Sequence, residues 1–386
     1  MVERLYYNDT YLKEFAAKVV SCEQIKEGFQ VILDKTAFYP EGGGQPCDIG
    51  TINGNVKVLD VQEKGADIIH LTDKAVEEGS TVTGEIDWER RFDLMQQHSG
   101  EHIVSGFIHE KYGYNNVGFH MGGEMITVDL DGDIDLEGLA EIESKVNSYI
   151  WTDIPVEELH PTEEELKKLD YRSKKELTGD VRIIRFPGAD TCACCGTHVK
   201  RSGEIGLVKL VSCQKFHEGV RIEMLCGKRA MEYLNAVNNE NYKISTMLSA
   251  KVRETSKAVE RVMNETQSLK MKISELEESM LNDIAKDYTG RDFVLINKSG
   301  LTPDNVRKLT VRLIEQNTGV CAVFSGDNEQ GYKYAIGHKN GDLKELVKQM
   351  NTSLNGRGGG KPFFAQGSVA CTDEDIERFF ADNNML

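Results

Sequence analysis

Between Lys228 and Thr289 the chain contains neither glycine nor proline. Losing the two residues that most readily end a helix makes long helices the reading of this run. Within it Leu248, Val252, Thr255, Val259, Val262, Thr266, Leu269, Ile273, Leu276 and Met280 alternate four and three apart, which is a heptad seam. One unbroken helix would be about 90 Å long at about 1.5 Å per residue. A break within "SAKVRETSK" (249–257), with Thr255 or Ser256 capping a second helix, predicts an antiparallel hairpin in which one chain buries its own seam. The same seam also suits a partner helix or a second copy of the chain.

The segments on either side are mixed. Residues 1–88 read as β-rich, because "FQVILDKTAFYPEGGGQPCDIGTING" and "NVKVLDVQEKGADIIHLT" alternate short apolar runs with Gly, Asn and Asp turn signals. In "DWERRFDLMQQHSGEHIVSGFIHEKYG" (87–113), Phe92, Met95, Ile103 and Phe107 recur at helical spacing. Gly100 inside that helix costs about 1 kcal/mol against alanine, which implies close packing or access to a site. A mixed stretch to about 226 offers "GEMITVDLDG" as a strand and "DLEGLAEIESKVNSYIWTD" as a helix. "RIIRFPGADTCACCGTHV" reads as a strand running into a loop, and two further strands follow it. The last hundred residues alternate strands and helices, then reach "GRGGGKPFFAQGSVA" (356–370), read as a glycine-dense turn with a basic residue on each side. The fold class is α/β (α+β), in four segments: 1–88, 89–227, 228–289 and 290–386.

Charge and cysteine content narrow the function classes. A net charge of -17 repels a phosphate backbone on average, so contact with nucleic acid must rest on a local basic patch. "DYRSKKELTGDVRIIR" (170–185) and "HVKRSGE" (198–204) are the candidates, and each reads equally well as a solvated face. No run approaches the roughly 18 apolar residues of a membrane span. "MVERLYYNDTYLKEF" lacks a basic-then-apolar signal pattern, so a cytoplasmic protein with no membrane partner is expected. Three of the nine cysteines crowd into "TCACCGTH", which favours metal or thiol chemistry over a disulfide framework.

The chemistry-bearing residues come in two pairs. His98 and His102 stand four apart in "HSGEH", on one face of the expected helix. With Glu101 as general base they fit the H-x-x-E-H pattern of a zinc metallopeptidase. Cys194 and His198 are also four apart, in a Gly-containing turn after a strand. Together His98, His102, Cys194 and His198 make a ligand set suited to tetrahedral Zn2+. Cys192 and Cys195 form a C-x-x-C that admits a redox or separate zinc role, but that reading leaves three histidines without a task.

"DKTAFYPEGGGQPCDIG" (34–50), "QQHSGEHIVS" (96–105), "CCGTHVKRSGEIG" (194–206) and "GVRIEMLCGKRAMEYL" (219–234) resemble the freestanding alanyl-tRNA editing proteins of the AlaX type, long form. They equally resemble the editing domain of alanyl-tRNA synthetase, and "GRGGGKPFFAQG" is similar to that synthetase's C-terminal tRNA-elbow domain. The likeness runs through nearly the whole chain in order. It departs at Cys195, where the family usually has glycine, and at Phe363 and Phe364, where polar or small residues are commoner.

The resemblance implies a β-barrel-like N-terminal domain, a zinc-containing editing core shared with threonyl- and alanyl-tRNA synthetases, a helical hairpin or coiled coil, and a small C-terminal α/β tRNA-binding domain. With no room for an aminoacylation domain, such a protein hydrolyses mischarged seryl-tRNA(Ala) in trans, with glycyl-tRNA(Ala) as a second candidate substrate. A synthetase pocket built for alanine cannot strongly reject serine, so a second site must hydrogen-bond the extra hydroxyl. By the resemblance Thr36 serves that purpose. Gly42, Gly43 and Gly44 let backbone approach the aminoacyl-adenosine, and Gln45 adds an amide contact. Gly358, Gly359, Gly360 and Lys361 would meet tRNA, and a homodimer would form through the helical or C-terminal region. Two other readings stay open: the zinc metallopeptidase using His98, Glu101 and His102, and a non-catalytic tRNA-binding module with structural zinc.

Overall fold

Six strands of the N-terminal segment close into a barrel, in the order Glu14–Ile25, Gly28–Leu33, Asp67–Thr72, Val56–Lys64, Gly50–Ile52 and Thr81–Ile86. Alternation along the first strand turns Phe15, Ala17 and Val19 inward, where they meet Val31, Leu33, Val58 and Ile68. The computed structural model describes residues 2–173 and 181–385, and packing divides the chain into two units, 1–243 and 244–386.

The barrel leads directly into the helix Trp88–Tyr112. Asp87 caps its start by accepting from the Arg90 N–H, and Gly113, at φ 74°, ends it. Every residue from Leu94 to Ile108 is buried, so the helix is enclosed on all sides and its polar side chains must find partners inside the protein. Gln97 donates to the Cys226 carbonyl and accepts from the Cys226 N–H, at 2.9 and 2.8 Å. Gly100 is explained by packing: a Cβ there would lie 2.3 Å from Cys226 Sγ. One turn into the helix, the fully buried Arg91 meets Asp48 with Nε at 2.9 Å and donates to the carbonyls of Thr10 and Ala37 at 2.9 and 2.6 Å. Those three partners all precede the helix, so one side chain ties it to the connecting segments of the N-terminal domain.

Around the helix stands an antiparallel sheet ordered Val208–Phe216, Gly219–Cys226, Ile126–Leu130, Asn116–Met121. The helix Leu136–Ile150 buries Leu139, Ile142, Val146 and Ile150 in the same core. A second sheet orders Glu157–Leu159, Ile183–Phe186 and Asp190–Ala193. The stretch read as one strand entering a loop is therefore a hairpin. The chain reverses at Pro187 and Gly188, whose φ of 81° permits the turn, and the returning strand carries Asp190 and leads to Cys194.

In the second unit the strand order is Phe293–Asn297, Val320–Asp327, Gly331–His338, Phe364–Val369, Gly356–Lys361. The helix Pro303–Gln316 places Val306, Leu309 and Leu313 in one cluster, and Lys344–Ser353 and Asp373–Asp382 place Val347, Met350, Ile376 and Phe380 in another. The glycine run at 356 to 361 is an edge strand, not a turn; the turn falls at Pro362 and Phe363. A Cβ at Gly358 would lie 2.3 Å from the Tyr334 hydroxyl oxygen, so glycine lets this strand close against its neighbours. The closing helix was also unread in the sequence, although Thr372 and Asp375 form a capping box at its start.

The glycine-free run folds as two helices, Gly227–Met247 and Thr255–Lys286, broken where the sequence predicts. Glu254 occupies the N-cap position, not Thr255 or Ser256, and no side-chain cap bond forms there. The expected burial of the seam is not what the second helix shows. Val259, Leu269, Ile273 and Leu276 are 42 to 70% exposed, and among its described residues only Ala258, Leu281 and Ala285 are buried. Leu281 and Ala285, which stand off the seam, pack with Leu309 and Leu313, so what this helix buries sits mainly near its C-terminal end. Neither this helix nor any other among the described residues is long and apolar enough to cross a membrane.

Of the basic stretch 170–185, residues 174–180, including Lys174 and Lys175, lie outside the described residues. Its described cations are paired: Arg172 with Asp190, Arg182 with Glu158, Arg185 with Glu157. In the second stretch Lys200 pairs with Asp9 and Arg201 with Asp153.

Candidate metal centre

His98 and His102 project from adjacent turns of the buried helix, and Cys194 and His198 come from the loop after the strand Asp190–Ala193. Their four ligand atoms lie within 4.8 Å of one another. Cys194 Sγ is 3.5 Å from His98 Nε2 and 3.3 Å from His198 Nε2. A tetrahedral ion with bonds of ~2.0–2.3 Å sets its ligand atoms about 3.3–3.7 Å apart, so these spacings fit a metal.

The outer nitrogen of each imidazole is already engaged. His98 Nδ1 meets Gln45 Oε1 at 2.9 Å, His102 Nδ1 meets Asp190 Oδ2 at 2.9 Å, and His198 Nδ1 meets Ser99 Oγ at 3.2 Å. Donation outward from Nδ1 leaves the Nε2 lone pair of each ring for a cation. Gln45 is itself fixed, with Nε2 donating to Thr197 Oγ1 at 2.8 Å and Oε1 accepting from the Thr197 N–H at 3.1 Å. Arg172 forks the Asp190 carboxylate at 2.8 and 3.0 Å. At Gly196 a Cβ would fall 2.2 Å from His98 Cε1, so the C-x-x-x-H turn closes on the helix only with glycine there.

Electrostatics distinguish the three neighbouring thiols. Loss of solvent raises the Cys194 thiol, but His98, His198 and His102 overcome this and hold it well below the usual thiol range. Burial pushes Cys192 up to about 11 and raises the exposed Cys195 as well. His102, Asp190 and Cys192 form a second, overlapping group, but both Asp190 oxygens are taken by His102 and Arg172. The better ligand set is His98, His102, Cys194 and His198.

His98, His102 and Cys194 line a cavity of about 940 Å³, whose wall also includes Gly43, Glu101, Asn116, Phe119 and Arg172. Phe119 stacks on His98 with ring centroids 5.3 Å apart. Gly42 and Gln45 exchange backbone hydrogen bonds across the glycine loop, at 3.0 and 2.9 Å, and Gly44 lies against Phe119. Thr36 is fully buried and is not on the cavity wall. Its Oγ1 lies 2.9 Å from His70 Nε2 and accepts from the Phe38 N–H at 3.1 Å. His70 Nδ1 must donate to the Val31 carbonyl at 3.0 Å, and burial lowers its pKa to about 4, so its Nε2 is an acceptor and Thr36 is the donor.

Gly358, Gly359, Gly360 and Lys361 come together in the second unit, on a groove of about 420 Å³ that Lys344 and Lys348 also line. Sequence reasoning missed Asp190, Ser99 and Asn116, and gave Glu101 a role only in the peptidase reading, as general base. A polar residue near a ligand is too common for spacing to single out these four.

Comparison with known proteins adds three family matches. The family described as tRNA synthetases class II (A) matches residues 4–90, the Threonyl and Alanyl tRNA synthetase second additional domain matches 181–223, and the DHHA1 domain matches 291–384. Alanyl-tRNA editing protein AlaX-L of Pyrococcus horikoshii is 30% identical over 97% of this chain and 96% of its own. Alanyl-tRNA editing protein Aarsd1 of Mus musculus is 31% identical over 69% of this chain and 68% of its own. An alanine–tRNA ligase of Ignicoccus hospitalis is 29% identical over 96% of this chain but only 41% of its own.

Proposed function

The chain belongs to the alanyl-tRNA editing proteins of the AlaX type, and from that premise we propose that it deacylates seryl-tRNA(Ala), with glycyl-tRNA(Ala) as a second substrate, at the His98, His102, Cys194, His198 centre. It is an aminoacyl-tRNA hydrolase acting on mischarged tRNA. The observation that carries the assignment to this site is the convergence of three Nε2 atoms and one thiolate sulfur on a single point beside a large cavity.

The metal in this reading is Zn2+, the ion that three imidazoles and a thiolate suit. Bound there, zinc would either lend Lewis acidity to the ester or its attacking water or position the substrate, and four protein ligands favour positioning. The protein's own groups do the positioning. Gln45 holds His98 and the Thr197 backbone together, Asp190 and Ser99 orient His102 and His198, and the glycine loop at Gly43 gives the terminal adenosine a close approach. The serine hydroxyl is assigned to Thr36 by the resemblance alone, since Thr36 is buried off the cavity wall and meets that hydroxyl only where the bound ester reaches past the wall. The O–H of Thr36 is committed to His70, so Thr36 meets that hydroxyl only as an acceptor. In the second unit, Lys344, Lys348 and Lys361 beside Gly358, Gly359 and Gly360 support a grip on the tRNA backbone, which would raise the ester's local concentration.

The test is turnover with substrate in excess over protein, using Ser-, Gly- and Ala-tRNA(Ala). Hydrolysis of the serine ester with the alanine ester spared by ~10³-fold or more supports the reading. Binding without turnover would leave only a tRNA-binding module. Cleavage of casein, but of no ester, would return the site to the peptidase reading that His98, Glu101 and His102 allow.

A further inference from the structure

Glu101 and Asn116 stand on the wall of the metal-site cavity but hold no position in the ligand group. Both are buried, at 4% and 8% exposure. Glu101 Oε1 accepts from Ser105 Oγ at 2.5 Å and from Asn116 Nδ2 at 2.6 Å. The other carboxylate oxygen accepts from none of the described groups, and Asn116 Oδ1 is buried without any partner. The amide is held in this sense by charge, since turning it would set its oxygen against the carboxylate. Among the described residues, then, Asn116 Oδ1 is a buried acceptor with nothing to accept from, beside a Glu101 oxygen to which no described group donates and whose charge Arg172 feels, where buried polar groups are otherwise nearly all paired.

The missing partner must donate, needs to accept nothing, and gains from positive charge. An aminoacyl ester of tRNA carries one group of that kind. The α-ammonium has three N–H donors and no lone pair, whereas the serine and ribose hydroxyls bring lone pairs that would face the two acceptors. We propose that Glu101 and Asn116 together receive the α-ammonium group of the substrate's aminoacyl moiety. The inference rests on the editing reading and deepens it. It gives the amine an anchor apart from the four metal ligands, and Ser105 presets the carboxylate by holding its far oxygen. A consequence is refusal of esters whose amine is blocked, such as N-acylated aminoacyl-tRNA.

The test uses the full chain with its metal and a stable amide, 3′-deoxy-3′-(seryl)aminoadenosine, against the counterpart in which an α-hydroxyl replaces the amine. Calorimetry reads the affinities, and turnover of seryl-tRNA(Ala) is followed on the same sample. The wild-type chain is expected to bind the amine ~10- to 100-fold more tightly than the hydroxyl compound. Glu101→Gln keeps an acceptor for Ser105 and Asn116 but puts an NH2 where the second oxygen stood. It should erase that ratio by weakening the amine compound without weakening the hydroxyl compound, and Asn116→Ala should reduce the ratio. Equal wild-type affinity for the two compounds overturns the proposal, and that arm requires no variant to fold. An equal loss on both compounds in Glu101→Gln marks a structural role and overturns it too. If seryl-tRNA(Ala) is turned over while the two affinities are equal, only this inference fails; if no ester is turned over, the editing reading fails.

Discussion

His102 Nδ1 and Asp190 Oδ2 are joined at 2.9 Å, and this bond fixes which ring nitrogen faces the other three ligands. Arg172 grips the same carboxylate, and although burial works the other way, the His102 N–H and the Arg172 guanidinium together hold Asp190 below the usual carboxylate range. Asp190→Asn removes the charge that anchors both. Loss of such an outer partner costs ~10- to 100-fold in metal affinity, so chelator competition should show a loss of that size. An unchanged affinity would show that His102 needs no orienting partner.

Gly196 packs so tightly on His98 that even one methyl has no room. Gly196→Ala should displace the imidazole and lower kcat for seryl-tRNA(Ala) by ~100-fold, the usual penalty of a misplacement of about 1 Å. Circular dichroism should stay that of the wild-type fold. A variant with normal kcat would mean that the turn yields without moving His98.

The mixed α/β class and the barrel were legible, and so were the four residues that come together as candidate ligands, because these rest on local periodicity. Two i, i+4 pairs announce a helix face and a turn, and the 87–113 stretch declares its helix through Phe92, Met95, Ile103 and Phe107. What stayed hidden depends on residues far apart in the chain. Nothing near Asn116 signals that Glu101 will be its neighbour, and nothing near Ser99 signals His198. The glycine run at 356 to 361 misled for a related reason. Its local preference is a turn, but pairing with Phe364–Val369 and the pressure of Tyr334 make it a strand.

His70 gives the barrel a pH signature. Its folded pKa of about 4 lies below the unfolded value of about 6.5, because burial opposes the charged ring. Between those values the unfolded chain takes up a proton that the folded chain refuses. The stabilisation is therefore complete above about pH 6.5 and is lost as pH falls towards 4, by ~3 kcal/mol across the window. Denaturant unfolding at pH 7 and pH 4.5 should show this loss in the wild type and a smaller one in His70→Gln. Equal losses would assign the acid sensitivity elsewhere.

Thr36→Val keeps the shape of the side chain and removes its oxygen. The expected result is a fall of ~10- to 100-fold in kcat/KM for seryl-tRNA(Ala), with little change for glycyl-tRNA(Ala), which has no hydroxyl to lose. A matched fall on both substrates would point to damage of the barrel through the orphaned His70 rather than loss of serine recognition.

The central claim is that one metal held by His98, His102, Cys194 and His198 is required for hydrolysis. The direct measurement is metal content and seryl-tRNA(Ala) deacylation on one preparation, before stripping with chelator, after stripping, and after adding Zn2+ back. One zinc per chain is expected, with activity lost on stripping and restored on reconstitution, and with neither zinc nor activity in Cys194→Ala. A metal-free chain that deacylates at the full rate would contradict the account.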